Sequence, residues 1–140
     1  MIYGRKGGEL IGKEVEKLKN IAGVEFAAVI DDLGHIIVIN DILKEVLGHA
    51  IATAGTLEKE EIDKLLAQTV TLYNIAKKSG ENLNKGAVKE IYVIWEDKMG
   101  ILKTLNVDYT LLVIASKDAI AWVRPAMKAA VEAILKIVGN

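Results

Sequence analysis

Apolar positions along the chain recur first at helical spacing and then at alternate residues. Ile11, Val15, Leu18 and Ala22 share one face of a segment over 9–21, with Glu9 and Lys13 an i,i+4 pair on the polar side. Gly7-Gly8 precedes this helix and Gly23 stops it. The stretch 25–31 is apolar on both faces, which predicts an interior strand. Asp32-Leu33-Gly34 supplies turn residues, and the β-branched run 35–40 returns as the second strand of a hairpin. Asp41 can cap a short helix over 42–53, ended by Gly55, and Thr56 a longer one over 57–78. On the longer helix Ile62, Leu65, Leu66, Thr69, Tyr73 and Ala76 form one face. Leu72 and Ile75 widen that stripe beyond one contact surface.

Ser79-Gly80 closes the long helix, and 81–86 reads as a loop. The run 88–96 alternates, with Val88, Tyr92 and Ile94 on one side and Ile91, Val93 and Trp95 on the other. A turn at 97–100 leads into a strand over 101–106, and 109–115 is a second strand apolar on both faces. A last helix ends by Val138, its core stripe Met127, Val131, Ile134, Leu135 and Val138. Pro125 belongs near that helix's first turn, because a proline costs about 3 kcal/mol in a helix interior. Irregular or kinked backbone is expected before it.

The order α-β-β-α-α-β-β-β-α predicts an α+β fold on one five-stranded, mainly antiparallel sheet with helices on both faces. Residues 1–140 make a single domain, without repeats or a linker.

Apolar residues make up 51% of the chain but aromatics only 5%, so the core must be aliphatic, with apolar residues to spare for an interface. The net charge of −1 leaves no basic excess to bind a nucleic-acid backbone. Without cysteine there is no disulfide, thiolate metal site or cysteine nucleophile. No apolar run approaches a membrane span, and the first residues lack the apolar segment of a signal peptide, so a cytoplasmic protein is expected.

Chemistry-bearing motifs are weak. Gly7-Gly8-Glu9-Leu10-Ile11-Gly12-Lys13 imitates a phosphate-binding loop. It lacks a preceding buried strand, and Glu14 stands where a magnesium-holding hydroxyl is needed. His35 and His49 have no ligand partners at metal-binding spacing. Ser116 lacks the glycines of a nucleophile elbow. The carboxylates of Asp31-Asp32 and of Glu96-Asp97 point to opposite strand faces, so neither pair can share a proton. No catalytic residue, metal site or cofactor is assigned, and the chain is read as a non-enzyme. Tyr73 and Trp95 are amphipathic aromatics of the kind that anchor interfaces.

Several segments together resemble the roadblock / dynein light chain family. Leu18-Lys19-Asn20-Ile21-Ala22-Gly23-Val24 and Ala28-Val29-Ile30-Asp31-Asp32-Leu33-Gly34-His35-Ile36-Ile37 follow its "L..I.GV..A.V.D..G..I" pattern. Ile91-Tyr92-Val93-Ile94, Asp108-Tyr109-Thr110-Leu111-Leu112-Val113-Ile114 and Ala121-Trp122-Val123-Arg124 continue the match. The resemblance implies a roadblock/profilin-like sandwich, with one helix on one sheet face and two on the other. It also implies a homodimer or heterodimer that acts as a non-catalytic scaffold or regulator of a Ras-like small GTPase, or as a subunit of a larger assembly. Mapped onto this chain, the implied dimer interface is Leu65, Leu66, Thr69, Leu72 and Tyr73 of the middle helix with Ile91, Tyr92, Val93 and Trp95 of the neighbouring strand. The chain departs from the pattern at 41–55, an added helix.

A rival reading is a small-molecule-sensing α/β domain. It requires a cavity between sheet and helices, for which His49, Thr53 and Tyr73 are the polar candidates.

Overall fold

In a computed structural model, residues 4–31, 59–105 and 109–137 are described. They form α1 (Gly4–Lys19), β1 (Val24–Asp31), α2 (Lys59–Asn82), β2 (Glu90–Ile94), β3 (Lys98–Thr104), β4 (Tyr109–Ser116) and α3 (Ile120–Ile137). A 3-10 turn, Lys117–Ala119, leads into α3. The expected strand 35–40 and the added helix within 41–55 lie outside the described residues.

Among the described residues the sheet has four strands, not five, in the order β1-β4-β3-β2, and every neighbouring pair is antiparallel. Alternation along each strand sends side chains to two separate cores. Ala27 and Val29 of β1, Met99 and Ile101 of β3, and Leu111, Val113 and Ala115 of β4 meet Ile11, Val15 and Leu18 of α1 and Val123, Met127, Ala130 and Ile134 of α3. The opposite sides of the same strands give Phe26, Ala28, Ile30, Leu102, Leu112 and Ile114, which meet Leu66 of α2. Among the described helices, α1 and α3 therefore cover one face and α2 the other. Full burial of each large aliphatic side chain contributes roughly 1.5–3 kcal/mol, which is what holds the layers together.

The doubly apolar strand at 109–115 is interior, with β1 on one side and β3 on the other. Helix α1 begins earlier than the pattern suggests, running through Gly7 and Gly8 from Gly4. Each glycine costs about 1 kcal/mol relative to alanine, which a packed helix can absorb. The phosphate-loop imitation therefore lies within a helix, and Gly12 at its end is buried.

Two turn assignments are corrected. Ser79-Gly80 does not close α2, which continues to Asn82. A Cβ on Gly80 would lie 2.5 Å from the carbonyl oxygen of Gly86. The glycine is there to let the following loop fold back, with the Lys85 N–H donating to the Gly80 carbonyl at 2.8 Å. The chain reverses between β2 and β3 at 95–98 and not at 97–100, because the Trp95 N–H donates to the Lys98 carbonyl at 2.8 Å. Gly100 is consequently a strand residue, placed directly beneath the Trp95 ring.

The 3-10 turn supplies irregular backbone ahead of Pro125, but the proline itself falls inside α3 and not in its first turn. It removes the N–H that would have bonded the carbonyl of Ala121, four residues earlier. In α3's core stripe Met127 and Ile134 are buried as expected, and Val123 and Ala130 complete it. Val131 and Leu135 are half-buried, and Val138 lies outside the described residues.

Candidate protein-protein interface

Helix α2 rests lightly on the sheet. Of its described side chains, Leu66 and Thr69 are buried, while Leu65, Tyr73 and Ala76 are half-buried. Leu72 is 37% exposed and Ile75 61%. A helix satisfied by one contact would turn polar residues outward at those two positions. Beside it, β2 is the terminal strand of the described sheet, with no described strand beyond it. Every second residue of such an edge leaves its backbone N–H and C=O without a ladder partner.

Trp95 follows directly after β2. Its ring lies over Gly100, and the position of a Cβ there would be only 3.0 Å from ring atom Cη2. The absent side chain makes room for the indole against the sheet, yet Trp95 remains 44% exposed. It is thus packed against the sheet and still has area to offer, the combination expected of an interface anchor.

The nine residues mapped from the family pattern do not all share one surface. Leu66 and Thr69 point into the sheet and support the helix from below. Ile91 packs half-buried against the same cluster, and Val93 lies opposite Gly100, on the Trp95 side. Leu65, Leu72 and Tyr73 leave surface on α2. Tyr92 lies on the other face of the sheet, half-buried against the α1/α3 core. The Arg124 guanidinium stacks over its ring at 5.3 Å. Ile75 was legible in the widened stripe but was not among the mapped positions. Ile94 and Leu83 are also well exposed. Ile94 pairs with Met99 and so shares Tyr92's side of the sheet.

The cavity required for a small-molecule sensor has partial counterparts. Tyr73 lines a pocket of about 390 Å³ at the end of α2, with Lys77, Glu81, Lys89 and Thr104 among its walls. Those polar residues, apart from half-buried Thr104, are exposed, and the Thr104 hydroxyl is already committed to the Val88 carbonyl at 2.8 Å. His49 and Thr53 lie outside the described residues. Among the described residues no group of three or more His, Asp or Glu is placed to hold a metal ion. No described helix is long and apolar enough to cross a membrane.

Comparison with solved structures identifies this arrangement of helices and sheet. A roadblock/LC7 domain from Streptomyces avermitilis superposes with a TM-score of 0.69 at 14% identity, covering 92% of this chain and 98% of that one. The gliding protein MglB of Thermus thermophilus superposes with a TM-score of 0.75 at 15% identity, over 99% and 96% of the two chains. The chain has the roadblock fold. A further structure, described as MglB with tetrameric arrangement, gives 0.74 at 14% identity over 99% and 95%. No family model and no curated protein matches the sequence. At this level of identity the roadblock fold is shared through hydrophobic spacing, as the pattern of apolar strands and turn glycines anticipates.

Proposed function

We propose that the protein is a non-catalytic, homodimeric roadblock scaffold that docks or regulates a Ras-like small GTPase or a larger assembly. The observation that carries this reading is the apolar surface of α2 and β2. Leu72, Ile75 and Trp95 remain accessible beside a strand edge, and covering them in water is favourable at roughly 25 cal/mol per Å². A second copy offers the same helix and the same edge, so a twofold contact would cover both at once. The mapped residues Leu65, Leu72, Tyr73, Ile91, Val93 and Trp95 supply such a contact directly. Leu66 and Thr69 would hold the helix in position, and Tyr92 would contribute only through the strand. The tetrameric arrangement recorded for MglB favours self-association in this fold.

Sedimentation velocity at about 50 μM tests the scaffold directly, since a homodimer runs at twice the 15.2 kDa protomer mass. A protomer-sized species at that concentration overturns the dimer. The GTPase assignment is tested by adding the protein to a panel of Ras-like GTPases loaded with GTP or GDP. A nucleotide-dependent complex, or a changed hydrolysis rate, is the expected result. Absence of both across the panel leaves a scaffold for a different assembly.

A further inference from the structure

The sheet face away from α2 carries a groove of about 550 Å³ between α3 and β2. Its charge is opposite in sign to that of the whole chain. Arg124 and Lys128 of α3 and Lys103 of β3 line it, against a single carboxylate, Glu90. That carboxylate is already engaged, 3.5 Å from the Lys103 ammonium and accepting from the Tyr92 hydroxyl at 3.4 Å. No carboxylate of a described residue pairs with Arg124 or Lys128. The Arg124 guanidinium is held over the Tyr92 ring, so it is oriented before anything binds.

We infer that this groove receives an extended acidic segment of a partner protein. Arg124 and Lys128 are four residues apart on one helix, which places their Cβ atoms about 5–6 Å apart. Alternate side chains of an extended chain project on one side at about 6.8 Å intervals, so carboxylates at positions i and i+2 match the two cations in turn. The intervening wall is apolar, formed by Ile120, Pro125 and the Tyr92 ring. A small anion such as phosphate would use the same cations without needing the apolar wall between them, and competition with inorganic phosphate separates the two cases. The groove lies on the opposite sheet face from the α2 surface, so the inference does not rest on the dimer.

The test uses a fluorescein-labelled peptide of alternating Glu and Val, about eight residues long, titrated with the full chain and followed by anisotropy. Saturable binding is expected, and it should weaken at least about tenfold on going from low to physiological salt. Arg124→Glu and Lys128→Glu should each weaken it about tenfold or more, and Arg124→Gln by less, with circular dichroism confirming the fold. Leu72→Asp should leave the affinity unchanged, which separates this site from the self-association surface. Equal binding by the charge-reversed variants, or equal binding of a Lys/Val peptide, overturns the inference. Displacement of the peptide by an equal concentration of inorganic phosphate also overturns it, because the groove would then be a small-anion site.

Discussion

The two faces of the sheet are built from the same four described strands but are closed to different degrees. On the α1/α3 side sixteen buried residues form one continuous cluster, drawn from both helices, the strands and the connections at their ends. On the α2 side the cluster has seven among the described residues, and of the described α2 side chains Leu66 is the buried apolar one. Strand composition does not explain the contrast, since β1 and β4 are apolar on both sides. The difference lies in the covering layer. On the first face the two described helices pack against each other and close it, whereas on the face of α2 the described residues Leu72, Ile75 and Trp95 stay exposed. A face closed by its own chain contributes stability, and a face left partly open retains area for association.

The contrast is most strongly tested at Met127, which is buried on the closed face. Met127→Ala is expected to destabilise by about 2–5 kcal/mol in denaturant unfolding, because the cavity adds to the lost transfer energy. Leu72→Ala on the open face should move monomer stability by no more than about 0.5 kcal/mol. Similar losses at the two positions would mean that the faces are not different in kind.

The next effect concerns association. Leu72→Asp should weaken self-association by about 2 kcal/mol or more, measured as the dissociation constant in sedimentation equilibrium, while thermal unfolding of the dilute protein changes little. Equal loss of folding and association would assign Leu72 to the core.

Gly100→Val comes third, at about 1–3 kcal/mol, since the new side chain must lift the Trp95 ring and press on Ile114. Measured in a Trp122→Phe background, indole emission should shift to the red as Trp95 enters solvent. An unchanged spectrum would show that the ring is not seated on Gly100.

The last and smallest loss of a specific contact is at Trp122 itself, whose indole N–H donates to the Ala22 carbonyl at 2.9 Å. Trp122→Phe removes that link between α3 and the loop after α1 and should cost about 0.5–1.5 kcal/mol in unfolding. No change would place that contact outside the cooperative core.

Much of this architecture is legible in the chain because hydrophobic period reports directly on which sides of an element meet other protein. The run 109–115 announces an interior strand, and the alternation of 88–96 by itself assigns Tyr92 and Trp95 to opposite faces. The family pattern nevertheless groups Tyr92 with Trp95 in one interface, and the strand pleat separates them. Boundaries are less legible. Residue type alone suggests turns at Gly80 and Gly100, yet one sits in a helix and the other in a strand. In both places glycine is required by a neighbour approaching from elsewhere in the chain, the Gly86 carbonyl in one case and the Trp95 ring in the other.

The linear order of residues was enough to determine that this protein is an aliphatic α+β sandwich without a cysteine or a recognisable catalytic constellation. It also determined that its middle helix is too apolar for a single contact. Those properties follow from local period and composition, which each segment carries by itself. Only the tertiary structure decided which apolar residues are spent on the core and which remain accessible. It also decided that Arg124 stacks on Tyr92 and that Lys103 neutralises Glu90, leaving a basic groove on a chain of net charge −1. Exposure and pairing are relations between residues far apart in the chain, and such relations exist only once strands have registered and helices have docked.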